Sequence, residues 1–414
     1  MKVFFRNIHL YLSLAAGLII FTSCLTGTIL VFEEEIEHSL YANRYFVTSQ
    51  GERLPLTQVV KSAVESTPKA KLSSVKVYHE ANRSVEVSIT VPEKKGHKEQ
   101  MDKAKAEQKP EAKSTDKRGP KSKDKKNEKR KPTITVYVDP FTGKVLDVVN
   151  PRESFFFTVE SIHRWLLGGK DSIGNFLTGF STLFFFFILI TGIILWWPKT
   201  KKILYQRLKI KFDGGWKRLV HDLHIVTGFY LSIFLIVIVL SGLVMAFNWV
   251  NKGLFTLTGS KMENPEPPTV VFQKVLKSVS VDEVAKTIQN EVNTFELYTI
   301  RIPKDSVSTY SVNVLPLNSI ETAGDTYFID QYTGKTVGAQ KFSNKNSGQK
   351  IRAIVKPLHT GAIYGLTSKI ISFLICLLSL AFPVTGVIMW LNRLKVNKKK
   401  EKKTVVQPAV VNQK

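Results

Sequence analysis

The chain has 414 residues, 43% of them hydrophobic, and a formal net charge of +25. The placement of that charge excludes nucleic acid as its reason: residues 1–8, 198–220 and 391–414 hold 18 Lys and Arg against Asp213 and Glu401, and residues 93–132 hold 16 basic against 8 acidic residues. Cys24 and Cys376 fall in apolar runs, where thiols act as small apolar side chains and say nothing about compartment.

The first apolar run ends at Phe32 and reads as an uncleaved span, because it continues through "LTGTILVF" and Phe21 poorly suits a lipoprotein cleavage box. Further runs at 173–197, 225–250 and 370–391 are each long enough to cross about 30 Å of hydrocarbon at a rise of about 1.5 Å per residue. The basic segments between and after them follow the positive-inside rule for four spans with both termini cytoplasmic. The predicted order is a cytoplasmic N-terminus (1–8), the first span (9–32) and an extracytoplasmic domain (33–160) carrying a Lys-rich insert at 93–132. An outer histidine segment with the second span (161–197), a basic loop (198–220) and the third span (221–250) follow. A second extracytoplasmic domain (251–356), an outer histidine segment with the fourth span (357–391) and a basic tail (392–414) complete it.

The first outside segment contains "LTQVVKSAVEST", an amphipathic helix, then "SVKVYHE" and "SVEVSITV", which alternate like half-buried strands. The insert is too charged to fold and splits these from "TITVYVDPFTGKVLDVV". The second outside segment repeats the order with "SVDEVAKTIQNEV", "FELYTIRI", "TYSVNVLP" and "DTYFIDQYTGKTVGA". Asp139 aligns with Asp330 and Gly143 with Gly334, each pair marking an Asp-led hairpin turn that reads as structural. The fold class expected is an α-helical integral membrane protein with four transmembrane helices from a duplicated unit and two small α+β domains outside.

The repeat extends into the spans, since aligning His9 with His224 also aligns Gly27 with Gly242 and Phe32 with Phe247. His9 and His224 open the two outward-running spans, while His163 and His359 precede the two inward-running ones, so the repeat supplies one histidine pair per membrane face. Two imidazoles from neighbouring helices suit the axial positions of a haem iron. Each span also carries a Ser or Thr followed by Gly near its end, at Gly27, Gly192, Gly242 and Gly386, and these glycines are read as clearance for porphyrin. Gly27 lies 18 residues after His9, five whole turns at about 100° per residue, so both share one helix face. Small residues also serve plain helix packing, which would explain the glycines but not the histidines.

The motif "HDLHIVTG" places His221 and His224 three apart, a spacing that also binds zinc or non-haem iron. That chemistry needs more ligands, and Asp222 is expected on another face of the helix. The residue aligned with His221 is Arg6, so both read as haem propionate contacts, with His221 as an alternate ligand. The four apolar runs hold no acidic residue, which argues against pump-like transport. Trp196, Trp197 and Trp390 read as aromatic-belt anchors.

These residues resemble the PepSY-associated transmembrane proteins over nearly the whole chain, through "HLYLSLAAGLIIFTSCLTGTILVFEEEI", "IHRWLLGGKDSIGNFLTGFSTLFFFFILITGIILWWPK", "HDLHIVTG", "LHTGAIYG" and the two "DxxTGK" hairpins. The resemblance implies an iron-regulated protein of the bacterial inner membrane, similar to haem-containing ferric-siderophore reductases. It implies two haem b groups on His9, His224, His163 and His359, carrying electrons outward to a ferric siderophore or other chelate over a step of about 20 Å, within a roughly 30 Å core. No Gly-rich dinucleotide fingerprint lies in the inner loop, so the expected donor is a membrane quinol or a separate reductase. The competing reading is a non-catalytic PepSY sensor, regulator or scaffold of an iron-uptake system. No catalytic residue separate from haem is expected.

Overall fold

The structure is a computed structural model, and it describes residues 1–49, 51–91, 132–263, 265–272 and 277–405, with side chains to residue 396. The insert at 93–132 lies outside the described residues apart from Pro132.

Among the described residues, four helical segments are long and apolar enough to cross a membrane. The first is α1 (Lys2–Leu30), followed by α2 (Glu33–Leu40), α3 (Ala42–Tyr45) and α4 (Leu56–Glu65). Strands β1 (Lys71–Tyr78), β2 (Val85–Thr90), β3 (Thr133–Val138) and β4 (Val145–Val149) lead to α5 (Phe155–Trp165), which precedes the second span, α6 (Ile173–Trp196). After α7 (Lys201–Arg207), the third span is assembled from α8 (Trp216–Asp222), a π-helical turn (Leu223–Thr227) and α9 (Gly228–Ala246). Then come α10 (Asn248–Leu257), α11 (Val281–Glu291), β5 (Leu297–Arg301), β6 (Tyr310–Leu315), β7 (Asp325–Ile329), β8 (Thr336–Gln340) and α12 (Ser347–Thr360). The last span combines α13 (Gly365–Ser379) with the start of α14 (Ala381–Val405). Pro383 lacks an N–H, which accounts for the break between those two helices.

The two outside segments do not form separate domains as expected. All eight strands join one antiparallel sheet in the order β4-β3-β2-β1-β5-β6-β7-β8. The seam is β1 against β5, with Ser74 opposite Arg301 and Tyr78 opposite Leu297. The physical reason is edge pairing: β1 and β5 would each be an open edge in a four-stranded sheet, and joining them satisfies both rows of backbone groups. Val75, Val87, Val136, Ile300, Val312 and Ile329 on one face share a single core with Val59 and Ala63 of α4 and Val284 and Ile288 of α11. Asp282 of α11 accepts from the Leu56 and Thr57 amides, so the second half caps α4 of the first. A Ser280–Glu283 capping box starts α11 itself.

The Asp-led turns are structural. Asp139 Oδ1 accepts from the Phe141 amide at 2.8 Å, and Asp330 Oδ1 accepts from the Tyr332 amide. Gly143 and Gly334 take φ of +71° and +68°, the left-handed conformation such turns demand. Both carboxylates are engaged within their own turns.

The sheet connects the ends of the first and third spans to the starts of the second and fourth, so it sits at one end of the bundle. That end is called sheet-proximal below, and the other sheet-distal.

Candidate imidazole-pair sites

The chain brings its four span-edge histidines together two by two. His9 of α1 and His224 of the π-helical turn face each other at the sheet-distal end, with ring centres 6.4 Å apart and planes at 81°. His163 of α5 and His359 of α12 do the same at the sheet-proximal end, at 6.2 Å and 63°. Helix α5 is capped at Ser154, whose side chain accepts from the Phe157 amide, and α12 by an Asn346–Gln349 capping box. Both caps anchor short helices that hold a histidine in their last turn.

Each imidazole is bracketed by a neighbouring span at its Ser/Thr-Gly step: His9 and His224 by the span that follows, His163 and His359 by the span that precedes. His163 Nδ1 lies 3.0 Å from Thr26 Oγ1 and 3.0 Å from the Ser23 carbonyl. His359 Nδ1 lies 3.1 Å from Ser241 Oγ and 3.0 Å from the Ile238 carbonyl. His9 Nδ1 repeats this at 3.1 Å from both Thr191 Oγ1 and the Ile188 carbonyl. His224 Nδ1 lies 2.8 Å from Thr385 Oγ1. A carbonyl oxygen can only accept, so Nδ1 of His9, His163 and His359 must carry the proton, and Nε2 is left as a free lone pair.

The glycines do something other than clear porphyrin. A Cβ built on Gly27 would sit 3.3 Å from His163 Cε1, on Gly242 3.2 Å from His359 Cε1, on Gly192 3.4 Å from His9 Cε1 and on Gly386 3.6 Å from His224 Cε1. Each notch is filled by the edge of an imidazole ring. The glycine lets the ring approach its helix closely enough for the neighbouring hydroxyl and carbonyl to reach Nδ1. Burial, and at His163 also the facing His359, holds the proximal imidazoles below the usual histidine range, His163 down to about 4.

Other expectations are corrected here. Asp222 was expected on another face, yet its Oδ1 lies 3.2 Å from His221 Nδ1, while Oδ2 accepts from Arg218 Nε at 2.8 Å. His221 is thus engaged by a buried carboxylate and has a side chain 46% exposed, so it does not join His9 and His224 as a ring partner. Arg6 differs: its Nε is buried with no hydrogen-bond partner. Trp196 is not a belt anchor, being 7% exposed and stacked on Phe229 at 3.5 Å between ring centres, whereas Trp197 is 66% exposed as an anchor should be.

Sequence reasoning missed the hydroxyls and carbonyls that bracket Nδ1. The signal was present in the recurring Ser/Thr-Gly step, but the small residue drew attention from the hydroxyl before it.

Two metal–nitrogen bonds of about 2 Å, with about 1 Å more from each nitrogen to its ring centre, span about 6 Å, close to both observed separations. Among the described residues, no group of three or more His, Cys, Asp or Glu side chains is placed to hold a metal ion. A zinc-type site is therefore short of ligands, while a planar macrocycle supplying four in-plane nitrogens needs only two imidazoles. The pairs, their bare Nε2 atoms and the unpartnered Arg6 Nε fit such a group.

No curated protein matches the chain. A family model described as the PepSY-associated TM region matches residues 6–393, from Arg6 through the four paired histidines to near the end of the fourth span. With four spans and a sheet at one end, this is a multi-pass membrane protein, and it belongs to the PepSY-associated TM region family.

Proposed function

We propose that this chain is a haem b protein of the bacterial cytoplasmic membrane that passes electrons outward to a ferric siderophore or another ferric chelate. On this reading the termini are cytoplasmic, the sheet lies outside, and the chain arose from a duplicated unit of span, outside αβ segment, histidine and span. The observation that carries the proposal is the pair of facing imidazoles at each end of the bundle, at 6.4 and 6.2 Å, each with Nδ1 occupied. Bound haem would supply a one-electron carrier at each level.

The chain's own residues have separable tasks. His9 and His224 would hold the distal group, and His163 and His359 the proximal one. Arg6, one turn before His9, offers a half-buried cation with an unpartnered Nε, suited to a propionate. His221 keeps only a peripheral role, because Asp222 engages it. Between the two levels, Leu189, Leu235, Val239 and Ile375 pack an apolar core. The 18 residues from His9 to Gly27 separate the levels by about 27 Å at the rise of an α-helix, a longer step than the 20 Å expected from bilayer thickness. The donor would be a membrane quinol or a separate reductase.

Full-length protein purified after expression with ample haem should show a Soret band and two haem equivalents per chain, with bands that sharpen on reduction. A colourless protein under those conditions would overturn the proposal and leave a PepSY sensor or scaffold role.

A further inference from the structure

We infer that Thr26, Thr191, Ser241 and Thr385 are positioning residues that fix the four histidines in the Nδ1-protonated form and aim Nε2 at its partner, and that Thr385 carries this task at His224 without the carbonyl that shares it elsewhere. The consequence for haem rests on the proposed function. The bracket itself does not.

The direction of each bond is set by where the hydroxyl proton goes. Thr26 Oγ1 donates to the Thr22 carbonyl at 2.7 Å, Thr191 Oγ1 to Phe187 at 2.8 Å, Ser241 Oγ to Ile238 at 2.7 Å and Thr385 Oγ1 to Ala381 at 2.6 Å. With its single proton spent inside its own helix, each hydroxyl can only accept from the imidazole. All four are buried, so leaving Nδ1–H without an acceptor there would cost more than at a wet surface. The glycine that follows supplies the close approach that the bond requires.

The four brackets are not equivalent. At His9, His163 and His359 the hydroxyl is backed by the carbonyl three residues before it, at 3.1, 3.0 and 3.0 Å. At His224 the corresponding carbonyl belongs to Phe382, and the contact made is to Thr385 Oγ1. Two local departures coincide there: His224 lies in a π-helical turn, and its partner helix begins anew around Pro383. His224 also leaves the most room at its glycine, where a Cβ added to Gly386 would sit 3.6 Å from His224 Cε1. Removing the hydroxyl should therefore free His224 while leaving the other three histidines held by their carbonyls.

The test compares Thr385→Val with Thr191→Val, Thr26→Val and Ser241→Ala in the full chain, with Thr385→Ser as rescue. In wild-type protein without added haem, nitrogen NMR of labelled histidine should show four neutral imidazoles protonated at Nδ1. Thr385→Val should convert one of them to mixed forms, and Thr385→Ser should restore it. On haem titration, Thr385→Val should weaken the distal site about 10-fold to 100-fold, the range for losing the partner of a ligating histidine. It should also alter the low-spin signal and midpoint potential of that site, while the other three variants lose less than about 3-fold. Nε2-protonated histidines in the wild type, or equal effects at all four positions, would overturn the inference. Wild-type protein that shows the Nδ1 form and takes up no haem would overturn the proposed function alone.

Discussion

The two imidazole pairs share an interior and differ at their rims. Inside, each ring meets a hydroxyl at 2.8–3.1 Å and lies against a glycine whose added Cβ would come within 3.2–3.6 Å of Cε1. At the rim, the distal pair is edged by Arg6 and by His221, the latter tied to Asp222 beside Arg218. The proximal pair has acidic company one turn above His163, where Glu160, Glu33 and Glu37 line a cavity of about 190 Å³ with Arg44, Tyr45 and Tyr137. The contacts that orient the rings are alike at both ends, and the surroundings are not. Orientation therefore belongs to the shared chemistry, and the rims set what differs between the two ends.

The largest effect should come from breaking one pair and sparing the other. If the chain holds haem as proposed, His359→Ala should remove one of two equivalents, because a single imidazole is left at the proximal level and the distal pair is about 27 Å away. Pyridine-haemochrome counting checks it, and loss of both equivalents or of neither would break the comparison. A smaller effect should separate the tighter notches from the looser one. An alanine at Gly242 would bring Cβ to 3.2 Å from His359 Cε1, forcing a buried ring to move, whereas at Gly386 the contact would be an ordinary 3.6 Å. Gly242→Ala should weaken proximal haem about 10-fold, the equivalent of about 1.4 kcal/mol. Gly386→Ala should leave the distal affinity unchanged and gain up to about 1 kcal/mol of helix stability. Equal outcomes in haem titrations would show that the notches are packing features and not clearance for the imidazoles.

How much of this could be read in advance follows from which features are local. The spans, the strands and the two Asp-led turns are written in periodicity and in single residues such as Gly143 and Gly334, so they could be placed from sequence. The pairing of His9 with His224 was legible because the repeat aligned them. The fusion of two strand sets into one sheet was not, since β1 and β5 are separated by more than 200 residues and either could have been left as an edge. The purpose of the glycines was misread for a similar reason. A missing Cβ tells that something comes close, and only the fold tells that it is His163 Cε1 at Gly27. Trp196 was misplaced because an interfacial position along the chain does not say which side of the helix faces Phe229.

The smallest expected effect probes the acidic rim. Burial, then the charges of Glu37 and Glu160, push the Glu33 carboxyl up to about 7, against an opposing pull from Lys356. The folded chain therefore keeps a proton on Glu33 where the unfolded chain has already released it. The sign follows: the stabilisation is full below about pH 4.5, the ordinary value, and is lost as pH rises through about 7. Glu33→Gln keeps the shape and removes the charge, so it should match the wild type at pH 5 and exceed it at pH 8. After allowance for solvent screening of a group this exposed, the gain is on the order of 1 kcal/mol. Thermal unfolding of the two proteins in the same detergent at both pH values measures it. Because the distal rim's own carboxylate, Asp222, is already engaged by Arg218, the wild type should lose this increment with rising pH through its sheet-proximal end. An identical pH dependence in the variant would place the titrating group elsewhere and remove the contrast between the rims.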